Sequence, residues 1–247
     1  MMLSDLYVTG VKLKREIPAG SYLCDLPVVQ HLAAMEELPL RSRVTFLVGE
    51  NGVGKSTLIE AMAVAMGFNP EGGTINFRFA TEESHSQLHQ YLTICKGVRR
   101  QRDGFFLRAE SFYNVATNID QMWPPVIGSY GGVSLHRQSH GESFMALVEN
   151  RFGGNGLYLL DEPEAALSPT NLLRLMYCMG ELVKRESQFI ISTHSPILMA
   201  FPHAEVLELS EGGIHPVPYQ QTEHFLLTKQ FMNDPERMLN ALFEQSE

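Results

Sequence analysis

Gly49-Glu50-Asn51-Gly52-Val53-Gly54-Lys55-Ser56 stands between two apolar segments of different character. Upstream, Val44-Thr45-Phe46-Leu47-Val48 is a short run that stops at a glycine, as a strand covered on both faces does. Downstream, Ser56 to Gly67 carries Leu58, Ile59, Ala61, Met62, Val64, Ala65 and Met66. That segment is apolar on every side and closed by glycine, which predicts a buried helix. The octapeptide fits the pattern G-x-x-x-x-G-K-S/T in the strand-turn-helix context its chemistry requires. Its glycines let backbone N–H groups converge on phosphate oxygens at the positive end of the helix. Gly49, Asn51, Gly52, Gly54, Lys55, Ser56 and Thr57 are therefore the expected nucleotide-binding residues. Lys55 would reach the β and γ phosphates, and the Ser56 hydroxyl would ligate Mg²⁺. The competing reading, a glycine-rich turn without a ligand, is weakened by the elements on either side.

The rest of the chain alternates in the same way. Gly104 to Arg108 reads as a strand, Thr74 to Phe79 as another, and Ser111 to Ile119 as the start of a helical insert that runs to breakers at Pro124-Pro125 and Gly131-Gly132. A helix from Gly141 to about Phe152 is followed by the turn Gly153 to Gly156 and the strand Leu157 to Leu160. Ser168 before Pro169 is a good N-cap with proline at the first helical position, opening a helix through Lys184; Gln188 to Ser192 is the next strand. Val206 to Leu209 and Ile214 to Val217 flank a hairpin turn, and one or two helices follow Thr222, with Asp234-Pro235 as a start. Strands alternating with helices, each strand nearly continuous in apolar character, predict an α/β fold of one domain with a mostly parallel central sheet and helices on both faces.

Two further motifs fall at strand ends. Asp161 and Glu162 close the strand Leu157 to Leu160, at the edge where open α/β sheets bind ligands. Asp161 would hold Mg²⁺ through its water shell, and Glu162, pointing differently, would orient and deprotonate an attacking water. A turn beginning Asp-Glu-Pro is the plainer alternative, and the presence of Lys55 counts against it. The run Ile190-Ile191-Ser192-Thr193-His194 delivers His194 to the same edge, as a candidate to contact the γ-phosphate and that water.

Ser139-His140-Gly141-Glu142 opens a helix with Ser and Glu three apart, which by itself is a capping box. The order of elements adds to that: phosphate loop, Ser-x-Gly-Glu at a helix start, strand-Asp-Glu-Pro, strand-Ser-Thr-His. Over Val44 to Ser195 this order resembles the ABC-type ATPases. The resemblance implies a P-loop fold with an N-terminal antiparallel β part and a helical lid insert at about 111–152. It implies ATP and Mg²⁺ as ligands, and a homodimer formed on ATP binding in which Ser139, Gly141 and Glu142 meet the γ-phosphate held by the other subunit. Gln138 and His140 depart from the commonest signature, Leu-Ser-Gly-Gly-Gln, and Glu142 stands in place of its glutamine. Glu164 to Ser168 resembles the loop that crosses the dimer interface. Arg108-Ala109-Glu110-Ser111 occupies the place of the glutamine loop without a glutamine, so Glu110 becomes the metal-facing candidate. The Asp-Glu-Pro-Glu run and the Ser-Thr-His-Ser-Pro ending look most like small stand-alone ATPases near the SMC, recombination-mediator and overcoming-lysogenization groups.

Composition narrows the class of partner. Twenty-eight acidic against 19 basic residues give a net charge of −9, so bulk charge does not favour nucleic acid. Lys96-Gly97-Val98-Arg99-Arg100-Gln101-Arg102 is a local basic cluster, either a solvated loop or a grip on a phosphate backbone. Three cysteines without a CxxC pair argue against a disulfide framework or a zinc site. No long apolar run appears, and Met1 to Gly10 lacks the pattern of a signal peptide, so a cytoplasmic address without an intrinsic membrane segment is expected. Three function classes follow. The first is a soluble ATP-hydrolysing switch serving DNA maintenance or phage defence through a protein partner or DNA. The others are the nucleotide-binding subunit of a membrane transporter and a regulatory module that holds ATP without hydrolysing it.

Overall fold

The computed structural model describes residues 5–75, 86–110, 112, 116, 117 and 138–243. Nine strands lie among them: β1 (Val8–Leu13), β2 (Leu38–Pro39), β3 (Val44–Val48), β4 (Leu92–Lys96), β5 (Asp103–Arg108), β6 (Gly156–Asp161), β7 (Gln188–Ser192), β8 (Glu205–Ser210) and β9 (Gly213–Pro216). The described helices are α1 (Pro27–Ala34), α2 (Lys55–Ala65), α3 (His140–Arg151), α4 (Pro169–Lys184), α5 (Pro196–Met199), α6 (Glu223–Asn233) and α7 (Pro235–Phe243). Six strands form the main sheet in the order β5-β6-β7-β3-β8-β9, parallel except for the β8–β9 hairpin. A second, antiparallel sheet has the order β2-β1-β4. The α/β architecture with a mostly parallel sheet and an antiparallel β part is thus present as expected. Most of the lid insert expected at about 111–152, and residues 76–79 of the strand expected at Thr74 to Phe79, lie outside the described residues; Thr74 and Ile75 are not part of a strand.

Side chains alternate across the main sheet into two cores, which is why its strands read as unbroken apolar runs. Phe46, Tyr158, Leu160, Phe189 and Ile191 face one core, built with α3, α4 and α5. Leu47, Leu157, Leu159 and Ile190 face the other, built with α1, α2 and the antiparallel sheet. Helix α2 lies between the two sheets, and Leu58 through Ala63 are all buried, so it needs apolar residues all round. Helix α4 has one covered face and buries the single stripe Leu172, Leu175, Met179 and Leu182. Ser168 caps it, its hydroxyl accepting from the Asn171 N–H. Strand β4 escaped the sequence pattern because it is covered on one side only and carries Thr93 and Cys95 among its apolar residues. No described helix is long and apolar enough to cross a membrane.

One buried side chain ties the two sheets together at the edge opposite the phosphate loop. Gln188, fully buried at the start of β7, accepts hydrogen bonds from the N–H groups of Tyr7 (2.8 Å) and Val8 (3.0 Å) and donates to the Val8 carbonyl (2.8 Å). Gln188→Leu keeps the volume but strips partners from three buried backbone groups, so a loss of about 2–4 kcal/mol of stability is expected. Urea unfolding measures it, and the midpoint should drop with little change in slope.

Candidate functional site

The parallel register carries four chain segments to one edge of the main sheet. It pairs Leu47 with Ser192, Ser192 with Asp161, and Asp161 with Arg108, so the ends of β3, β7, β6 and β5 stand side by side. The phosphate loop leaves β3 at this edge. Gly49 and Gly54 adopt φ of 139° and 97°, conformations that favour glycine, and a Cβ at either would collide with the Leu209 carbonyl or the Val28 side chain. Asn51 and Gly52 are exposed at the loop tip, whereas Ser56 and Thr57 are half-buried in the first turn of α2. That turn has no side-chain cap, which leaves its N–H groups available to an anion. Lys55 is only 4% exposed, and its ammonium donates to the carbonyls of Gly49 and Glu50, both at 2.8 Å. Burial pushes the ammonium below its ordinary range, while the fields of Glu162, Asp161 and Glu164 push back.

Asp161 is held on both sides. Its Oδ1 accepts from the Ser192 hydroxyl, and its Oδ2 faces the Arg108 guanidinium at 3.4 Å. Arg108 also meets buried Glu60 at 2.5 Å and Glu110 at 3.6 Å. The Glu110 carboxylate is 88% exposed, with Arg108 between it and Asp161. Glu162 takes a left-handed backbone conformation, φ 49° and ψ 53°, fixed by hydrogen bonds from its N–H to the Ser192 carbonyl (3.1 Å) and hydroxyl (3.2 Å). A non-glycine residue held there is strained, and its carboxylate reaches His194. Its Oε1 lies 3.5 Å from Nε2 of His194. Burial and the neighbouring Asp161 raise the affinity of Glu162 for a proton.

His194 is fixed from two directions. Its N–H donates to Oε1 of Glu164 at 2.5 Å, and its Nδ1 is 2.7 Å from Nε2 of His224 on α6. Its Nε2 is buried without a hydrogen-bond partner. Burial, then Lys55 and His224, push the imidazole from its ordinary 6.5 to about 4, so it is neutral near pH 7. As pH falls from about 6.5 to about 4, the unfolded chain takes up a proton at this position that the folded chain refuses. The wild type is therefore expected to lose stability relative to His194→Gln across that window, with no further divergence below it. Denaturant titrations of both proteins at several pH values measure the difference and cancel the opposing contribution of the raised carboxylates.

Ser139, Gly141 and Glu142 stand at the exposed start of α3, which packs beside the 3₁₀ turn Pro163–Ala166. There the capping box forms. The Ser139 hydroxyl accepts from the Glu142 N–H (3.4 Å), and Oε2 of Glu142 accepts from the Ser139 N–H (3.0 Å) and hydroxyl (2.7 Å). These bonds hold the Glu142 carboxyl below its usual range. The edge thus collects Lys55, Ser56, Asp161, Glu162 and His194, while the α3 start points outward. Sequence reasoning missed the parts played by Ser192, Arg108, Glu60 and His224, and placed Glu164 only in a segment resembling a dimer-interface loop, not against His194. Glu60 alone announced itself, as a carboxylate inside an otherwise apolar helix.

The residues present fit a magnesium-bound nucleoside triphosphate. The uncapped N–H groups of α2 suit phosphate oxygens, and the hydroxyl of Ser56 and carboxylate of Asp161 are hard oxygen donors of the kind Mg²⁺ takes together with phosphates and waters. A cleft of about 840 Å³ adjoins the loop, with Gly49 to Val53 on one wall and α6 on another. A second cleft, of about 570 Å³ between the end of β1 and α1, carries none of these groups.

Two family models match separate parts of the chain. One, described as "AAA domain", matches residues 30–112, and the other, described as "AAA domain, putative AbiEii toxin, Type IV TA system", matches residues 133–200. An "Uncharacterized ABC transporter ATP-binding protein" of Haemophilus influenzae is 25% identical over 199 residues, 70% of this chain and 71% of that protein. A "Putative ribose/galactose/methyl galactoside import ATP-binding protein 2" of Agrobacterium fabrum is 22% identical over 78% of this chain and 42% of its own length. Among solved structures, the SMC head domain from Thermotoga maritima is 18% identical with a TM-score of 0.44, covering 86% of this chain and 99% of that one. The two family matches fall on the segments that build the phosphate loop and the Asp161–His194 edge, and along these parts the chain is similar to AAA and ABC-type ATPases.

Proposed function

We propose that this chain hydrolyses ATP as a switch, closing into a dimer around two ATP molecules and opening when they are spent. The observation that carries the reading is the meeting of Lys55, Asp161, Glu162 and His194 on one edge of the sheet, with a strained Glu162 beside a neutral histidine. Lys55 and the N–H groups of α2 bind the phosphates, and Ser56 and Asp161 would hold Mg²⁺. When bound, Mg²⁺ neutralises charge on the β and γ phosphates. Glu162 takes a proton from the attacking water as its oxygen bonds to the γ-phosphorus, and ADP departs with the electron pair of the broken O–P bond. His194 contacts the γ-phosphate and orients that water. Glu110, beyond Arg108, is the remaining candidate to face the metal. In the closed dimer Ser139, Gly141 and Glu142 of one copy meet the γ-phosphate of the other, where the positive end of α3 favours it.

Ser139→Arg tests the assembly. It is expected to abolish ATP-dependent dimerisation on gel filtration and to leave ATP binding by the monomer within about threefold, because the side-chain hydrogen bonds of Ser139 stay within the start of α3. An undiminished ATP-dependent dimer would overturn the trans contact.

We place the switch in DNA maintenance or phage defence. The basic cluster supports this placing: Lys96 to Arg102 leads into the start of β5, the edge opposite the phosphate loop, where Lys96 and Arg100 are exposed and Arg99 pairs with Glu186 at 2.6 Å. A backbone-gripping loop there would leave the nucleotide edge free to dimerise. The names of the two curated relatives favour a second reading, a subunit that drives a membrane permease. Salt-sensitive stimulation of ATP turnover by duplex DNA supports the first; co-purification with a membrane protein, without any response to DNA, supports the second.

A further inference from the structure

We propose that His224, on α6, is a positioning residue that sets the tautomer of His194, so that His194 presents an N–H to the γ-phosphate. The inference rests on the reading of His194 just given. Only one hydrogen can lie in the 2.7 Å gap between Nδ1 of His194 and Nε2 of His224. Two arrangements are open: His194 donates from Nδ1 and leaves a bare lone pair on Nε2, or His224 donates and the single hydrogen of neutral His194 sits on Nε2.

The surroundings decide between them. Nε2 of His194 is buried, lacks a hydrogen-bond partner and faces the Glu162 carboxylate at 3.5 Å. A lone pair aimed at a carboxylate is repelled, whereas an N–H is attracted. An N–H at that atom is also what a phosphate oxygen requires.

His224 reaches this position because its helix start is anchored. Thr222 is fully buried, and its hydroxyl accepts from the Phe225 N–H (3.4 Å) and donates to the Tyr219 carbonyl (2.7 Å). Tyr219 meets the Phe225 ring edge-on, with centroids 5.3 Å apart. His224 is thus held two residues past a buried cap, next to α5, which begins directly after His194-Ser195. The two rings are tilted by 56° with centroids 4.8 Å apart.

Long-range proton–nitrogen NMR on the full chain with ¹⁵N-labelled histidine reads the tautomer directly at pH 8, with the His194 signals assigned by loss in His194→Gln. The wild type is expected to show His194 protonated on Nε2, and His224→Ala to show a tautomer mixture. His224→Gln, whose amide can donate across the same gap, should restore the Nε2–H form. ATP turnover should fall about tenfold in His224→Ala with KM within twofold, and return at least partly in His224→Gln. A wild-type His194 protonated on Nδ1, or an unchanged Nε2–H form in His224→Ala, would overturn the proposal. The spectrum needs no turnover, so a chain that does not hydrolyse ATP would refute the proposed function and leave the tautomer measurement standing.

Discussion

Glu162→Gln is expected to lower ATP turnover by about 10²–10⁴-fold, the range a positioned general base supplies. The substitution keeps the side-chain shape and removes the ability to accept a proton. Position 162 is the place for such a base because, at the end of β6 and in a left-handed backbone conformation, its carboxylate lies 3.5 Å from His194. Burial and Asp161 also make it hold a proton more tightly than an ordinary glutamate, the direction that improves a base working near neutral pH. The same replacement removes one negative charge from a cluster that already contains Asp161, Glu164 and Glu110. ATP, itself strongly anionic, should therefore be held at least as tightly as in the wild type. The expected product is an ATP-bound dimer that persists on gel filtration, with a doubled apparent mass. Turnover within fivefold of the wild type would remove Glu162 from this role.

What was legible in the sequence follows from where burial is two-sided. Strands β3, β6 and β7 lie between two cores, so they are buried throughout and mostly apolar, and the runs stand out; each ends at a functional segment because the chain turns polar where the sheet ends. The phosphate loop and the Ser168 cap were readable because local backbone chemistry alone dictates them. The connections between motifs were not. The bond from Ser192 to Asp161 depends on the β6–β7 register, and that from the His194 N–H to Glu164 depends on a 3₁₀ turn folding back across β7. Position after a strand points to Glu110, but shows nothing of Arg108, which lies against Asp161 and is set in place by buried Glu60, 48 residues earlier. His224 follows a hairpin whose path no local pattern specifies, so its approach to a residue 30 positions away becomes visible only when the helices are packed.

Lys55→Ala is expected to weaken ATP binding more than any other single change at the edge. A cation that is buried and hydrogen-bonded is worth about 2–5 kcal/mol when its partner is a charged group, which corresponds to roughly 30- to 5,000-fold in Kd. Lys55 meets both conditions: it is 4% exposed, and its ammonium is aimed by the Gly49 and Glu50 carbonyls at 2.8 Å each. Its removal also leaves Asp161, Glu162 and Glu164 without the cation whose field they share, so an incoming triphosphate would face three carboxylates with less compensating charge, Arg108 still standing beside Asp161. Arginine should not substitute. The guanidinium keeps the charge, but its planar fork is too large for a cradle built of two carbonyls around a compact ammonium. Calorimetric titration with ATP separates these contributions: Lys55→Ala and Lys55→Arg should both bind far more weakly than the wild type, with urea midpoints close to it. An ATP affinity within twofold of the wild type in Lys55→Ala would mean that the phosphates bind elsewhere on the sheet.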